Sequence, residues 1–82
     1  MPEATYGRLD EVLRALGFSV RVVEEKRTRV YRHGPTDALI LLPEQPATDP
    51  AIPHHLIEVR KTLEEYGIAN PMEFARRLQK AE

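Results

Sequence analysis

The sequence predicts an α+β domain of two layers, a three-stranded antiparallel meander with helices on one face, in the order α-β-β-β-α-α. Three observations point to it: helical apolar spacing near the start, a change to period two from Phe18, and helical spacing again after a proline-rich stretch. Short turns between the strand-like runs allow only antiparallel connections. Strands grouped together, with helices outside the group, give α+β rather than alternating α/β architecture.

Tyr6, Leu9, Val12, Leu13 and Leu16 fall on one helix face, with Thr5 as N-cap and Gly17 as the stop, which predicts a first helix over residues 5–16. From Phe18 onward Phe18, Val20 and Val22 alternate with Ser19, Arg21 and Val23, and the β-branched content favours a strand. Glu24, Glu25 and Lys26 form the next turn, without the glycine or asparagine that usually marks a tight hairpin. A second strand runs from about Arg27 to His33, and Gly34, Pro35, Thr36 and Asp37 turn the chain into a third, Ala38 to Leu42. Residues 43–53 hold four of the seven prolines and read as an extended connection, because proline fixes φ and withholds its N–H. Leu56, Val59, Leu63 and Tyr66 mark a second helix ended by Gly67. Asn70, Pro71 and Glu73 then make a capped start for a last helix whose contacts come from Met72, Phe74, Ala75 and Leu78.

At 82 residues, 41% hydrophobic and 30% charged, the chain is expected to form one globular domain over residues 1–82. The absence of cysteine excludes disulfides, cysteine zinc sites and thiol nucleophiles. No apolar run approaches a membrane span and the opening residues carry acids, so a cytoplasmic protein without membrane contact is expected. The net charge of -1 conceals an uneven distribution: residues 21–33 sum to +3, whereas residues 34–57 hold no Lys or Arg and sum to -3.

The basic stretch KRTRVYRH, residues 26–33, therefore carries the main functional question. If Val30 faces the helices, alternation places Arg27, Arg29, Tyr31 and His33 on the open side of the sheet. Arg27, Arg29 and Arg32 would then grip RNA phosphates while Tyr31 stacks on a base. The other parity puts Tyr31 inside, and on either parity the arginines have Glu24, Glu25 and Asp37 available as ion-pair partners. His33 and His55 are the candidate general bases, although His33 sits beside a turn where a structural role is expected. His54 and His55 are neighbours on a helix start and point about 100° apart, so no metal site is expected there. No phosphate loop, serine nucleophile motif or paired carboxylates implies an enzyme, and no cofactor is implied. The third strand is apolar at both parities, which calls for a homodimer, a partner protein, or the proline-rich connection folded back as a lid.

Taken in order, LDEVLRALGF, the basic strand ending VYRHG, LILLP, EVRKTLEEYGI and NPMEFARRL resemble the HicA (YcfA-like) family over roughly residues 9–78. The resemblance implies a double-stranded-RNA-binding-domain-like fold, a bacterial toxin that cleaves mRNA, and a HicB antitoxin as partner. It also implies a catalytic histidine at the start of the second strand, where this chain has Thr28. A threonine hydroxyl titrates far above neutral pH and cannot take a proton as an imidazole does. The connection after the third strand is about one helical turn longer than the family's, and the chain is not basic overall. The expectation is a HicA-like domain that binds RNA without the ribonuclease chemistry. The alternatives are a toxin with His33 or His55 as relocated base, and a protein-interaction or dimerisation module.

Overall fold

A computed structural model describes residues 4–79; residues 1–3 and 80–82, the ends of the expected single-domain span, lie outside the described residues. The elements are α1 (Tyr6–Ala15), β1 (Phe18–Val23), β2 (Thr28–His33), β3 (Ala38–Pro43), α2 (Pro53–Glu65) and α3 (Pro71–Gln79). The sheet is antiparallel in the order β1-β2-β3, as the short turns required. Among the described residues no helix is long and apolar enough to cross a membrane.

Thr5 is extended and its side-chain oxygen accepts the Arg8 amide, so α1 starts where its cap residue places it. Leu9, Val12 and Leu13 are its buried stripe, and Gly17 follows with a φ of 101° that stops the helix. The β1–β2 connection is a 3₁₀ turn, Glu24–Lys26, and Arg27 takes the left-handed conformation that glycine or asparagine would normally supply. In α3, Asn70 Oδ1 accepts the Glu73 amide at 2.7 Å, and Phe74 is buried. Met72 and Ala75 point to water, so only Phe74 and Leu78 of the four expected contacts pack. Tyr66 likewise ends up exposed, beyond the last turn of α2.

The proline-rich connection is no lid over the sheet. It runs back along the start of α1, where the Tyr6 amide donates to the Asp49 carbonyl at 3.0 Å and the Gly7 amide to the Ala47 carbonyl at 2.9 Å. Thr5 bridges Pro50, and the Ala51 amide donates to the Ala4 carbonyl. Two of the four N–H groups that a helix start leaves open are thereby paired with backbone. Gly7 is needed for the approach, since a Cβ there would lie 2.9 Å from the Ala47 Cβ. The connection ends at Ile52, one residue earlier than expected: Pro53 is the first residue of α2, a position where its missing N–H and fixed φ cost nothing.

One apolar core joins these parts, built from Leu9, Val12 and Leu13 of α1, Phe18, Tyr31, Ala38, Ile40 and Leu42 of the sheet, and Val59, Leu63 and Phe74 of the later helices.

Candidate functional site

Register decides which side of β2 meets water. Tyr31 lies between Val20 and Ile40, Arg29 between Val22 and Leu42, and His33 between Phe18 and Ala38. Those neighbours include Phe18, Ile40 and Leu42, which are buried under the helices, and Tyr31 itself is only 1% exposed. The parity with Val30 inward and Tyr31 outward is therefore not the one that folds. An aromatic ring flanked by Val20 and Ile40 buries more apolar surface than Val30 would in its place.

Burying Tyr31 requires a partner for its hydroxyl, and Asp10 of α1 supplies it. Tyr31 donates to Asp10 Oδ1 at 2.7 Å, Arg29 Nη1 approaches the same oxygen at 3.5 Å, and Arg14 Nε donates to Oδ2 at 2.9 Å. These side chains line a cleft of about 270 Å³ together with Tyr6, Gln45 and Ala47. Burial, and then the Asp10 hydrogen bond, push the Tyr31 pKa up to about 12. The Tyr31 oxygen holds the Arg29 pKa above its ordinary value, with further support from the Asp10 and Glu44 charges and against the effect of burial. Tyr31 therefore stays protonated and Arg29 charged at neutral pH, and neither moves a proton there. The cluster ties α1 to the sheet; it presents no nucleophile.

The four residues expected to contact RNA are thus dispersed. Arg27 stands exposed on the left-handed turn, Arg29 lies at the cleft beside Asp10, Tyr31 is in the core, and Arg32 is on the open face paired with Asp37. Thr28, at the position the resemblance assigns to a catalytic histidine, donates its hydroxyl to the Lys26 carbonyl at 3.0 Å. His33 is at the other end of the six-residue β2, about 17 Å away at the strand's rise per residue. Its Nδ1 is 2.9 Å from Thr36 Oγ1 and its ring packs on Phe18, a structural arrangement. His55 Nδ1 meets the Tyr6 hydroxyl at 2.8 Å and joins α2 to the start of α1, while His54 is exposed beside Glu58. Among the described residues no three His, Asp or Glu side chains are grouped to hold a metal ion.

What the sheet leaves open is apolar. On the face away from the helices, Leu39 is 56% and Leu41 63% exposed, with Arg32 and Val30 of β2 directly beside them and Arg21 of β1 beyond Val30. The edge of β3 is also open. The Glu44 amide donates to the Arg27 carbonyl, which makes this facing pair a hydrogen-bonded one. Alternation along the ladder then gives bonds to Leu42, Ile40 and Ala38 and turns the N–H and C=O of Leu39 and Leu41 away from β2. Pro43 falls on the same outward set, where a missing N–H is tolerated. Among the described residues nothing hydrogen-bonds to this edge. Asp10 as the centre of the cleft was missed in the sequence; its spacing of four from Arg14 was the one local signal.

No protein-family model matches the chain, and neither a curated protein nor a solved structure matches it.

Proposed function

We propose that the chain is a HicA-like domain that works by contact with another protein rather than by cleaving RNA, and that its contact surface is the open face of the sheet with the free edge of β3. The observation that carries this reading is the exposure of Leu39 and Leu41 beside unpaired backbone groups. Adjacent exposed leucines on a strand edge are what an interaction site displays and what an isolated protein covers or charges. The resemblance names the class of partner, a HicB-like antitoxin.

The chemistry at the other positions supports contact over catalysis. Thr28 has no neutral-pH basicity, and its hydroxyl is occupied by the Lys26 carbonyl. RNA binding through β2 has lost its stacking ring to the core and the Arg29 guanidinium to Asp10, while Arg32 stays on the open face in an exposed pair with Asp37. Lys26 and Arg27 remain at the turn, exposed and next to Glu24 and Glu25.

The test uses two variants and two ligands. Purified protein is mixed with single-stranded and structured RNA at near-physiological salt, and separately with a HicB-like protein. RNA stays intact and unretained; the native chain and Lys26→Ala/Arg27→Ala bind the protein partner, and Leu39→Glu/Leu41→Glu does not. Cleavage of RNA, or retention of RNA that the Lys26→Ala/Arg27→Ala variant loses, overturns the reading.

A further inference from the structure

We infer that a second copy of the chain occupies the β3 edge: two β3 strands pair antiparallel about a two-fold axis at Ile40, and two three-stranded sheets become one of six strands. This rests on the contact-surface reading above and names an occupant for it.

The argument starts from which groups point outward. Leu39 and Leu41 are the two β3 residues whose N–H and C=O are both free. A two-fold axis at Ile40 sets Leu39 of one copy against Leu41 of the other, twice, so that each outward donor meets an outward acceptor. Centring the axis on Leu41 instead sets the Leu39 carbonyl against Pro43, which has no N–H to give. The proline thus counts against the Leu41-centred register, whereas the Ile40-centred one pairs every outward group of Leu39 and Leu41. The Ile40-centred register also brings four leucine side chains together on the open face of the joined sheet, covering the residues that are most exposed in the single chain.

Charge permits this pairing. β3 carries no ionisable side chain, whereas the opposite edge strand β1 has Arg21 in its middle, a common protection against edge pairing. On the helix side, a trough of about 420 Å³ runs along β3 beside α2, lined by Leu39, Ile40, Leu41, His54, His55 and Glu58. On its rim His54 stands beside Glu58, with His54 Nε2 3.7 Å from Glu58 Oε2.

Size places the joint among small interfaces. A six-residue strand is about 20 Å long, and the shortest dimension of the fold is 22 Å. The joint therefore covers roughly half of the 800 Å² per partner typical of stable complexes. The dimer belongs to the weak, reversible class, half-formed on the order of 0.1 mM.

The chain has no cysteine, so the register can be read by disulfide trapping. Leu39→Cys mixed with Leu41→Cys forms a disulfide under mild oxidation, because hydrogen-bonded antiparallel partners lie about 5.5 Å apart at Cα. Each variant alone cross-links at least ~10-fold more slowly, since two residues of offset place like positions beyond the roughly 7 Å limit for a disulfide. In sedimentation, the native chain rises from 9.4 kDa toward twice that mass between about 10 µM and 1 mM. Leu41→Pro, which removes an outward N–H and leaves the bonds to β2 intact, stays monomeric with an unchanged circular dichroism spectrum. A native chain that is monomeric at about 1 mM, or self-cross-linking as fast as the mixed pair, overturns the dimer. If the native chain is monomeric yet binds a HicB-like protein through Leu39 and Leu41, the dimer alone fails. If it dimerises and binds no such protein, the dimer stands and only the antitoxin partner of the preceding section fails.

Discussion

Replacing Tyr31 by phenylalanine removes one oxygen from the core and leaves the ring. That oxygen donates to Asp10 at 2.7 Å from a side chain that is almost wholly buried. A hydrogen bond to a charged acceptor contributes about 1.5–3 kcal/mol, and Asp10 keeps Arg14 and Arg29, so the loss falls in the lower part of that range, about 1.5–2 kcal/mol. For a domain of this size the melting temperature drops by about 6–16 °C. Urea unfolding followed by circular dichroism reads it as a lower midpoint with an unchanged slope. The pH dependence provides an internal control. The folded Tyr31 pKa is raised to about 12 from an ordinary value of about 10, so the protonated form is the one folding favours. Its contribution is complete below about pH 10 and is lost as pH rises through about 12, at most about 2.7 kcal/mol, enough to cancel the advantage of native over Tyr31→Phe. A difference below about 0.5 kcal/mol at pH 7, within the scatter of ordinary surface substitutions, refutes the reasoning. A native-minus-variant difference that stays flat from about pH 9 to 12 does so equally.

Two further substitutions test the backbone. Arg27 sits at φ 49° and ψ 48°, where a Cβ costs roughly 1 kcal/mol, so Arg27→Gly raises the urea midpoint by about 0.5–1 kcal/mol in stability while Arg27→Val lowers it. Gly7→Ala places a methyl 2.9 Å from the Ala47 Cβ and 3.0 Å from the carbonyl that accepts the Gly7 amide; the expected loss is about 1–2 kcal/mol, seen as a lower melting temperature.

Elements whose signals are local were legible from the residues alone. Thr5 and Asn70 cap the helices their positions suggested, and the three strands fall within a residue or two of where period two and the Gly34–Asp37 turn put them. The face of β2 was not legible. Thr28 to His33 offers one large apolar residue on each parity, and the choice between Val30 and Tyr31 is made by Val20, Ile40 and Asp10, which lie elsewhere in the sequence. The ion pairs of Arg29 and Arg32 show the same divide. Asp37 is close in sequence and was among the anticipated partners, whereas Asp10 reaches Arg29 only once α1 has docked. Pro53 was misplaced by one residue because proline both ends an extended stretch and begins a helix.

The seam between the proline-rich connection and the start of α1 has a consequence for the order of events during folding. No strand partners in the meander are further apart along the chain than Phe18 and His33 or Thr28 and Pro43, while Thr5 and Pro50 are three times as far apart. Closing the longer loop costs more chain entropy for only a few amide bonds, so the hairpins assemble before the seam and the seam opens before the hairpins. The Tyr6 and Gly7 amides are accordingly the first in α1 to trade their protons with deuterated water, ahead of Leu13 and Tyr31 in the interior.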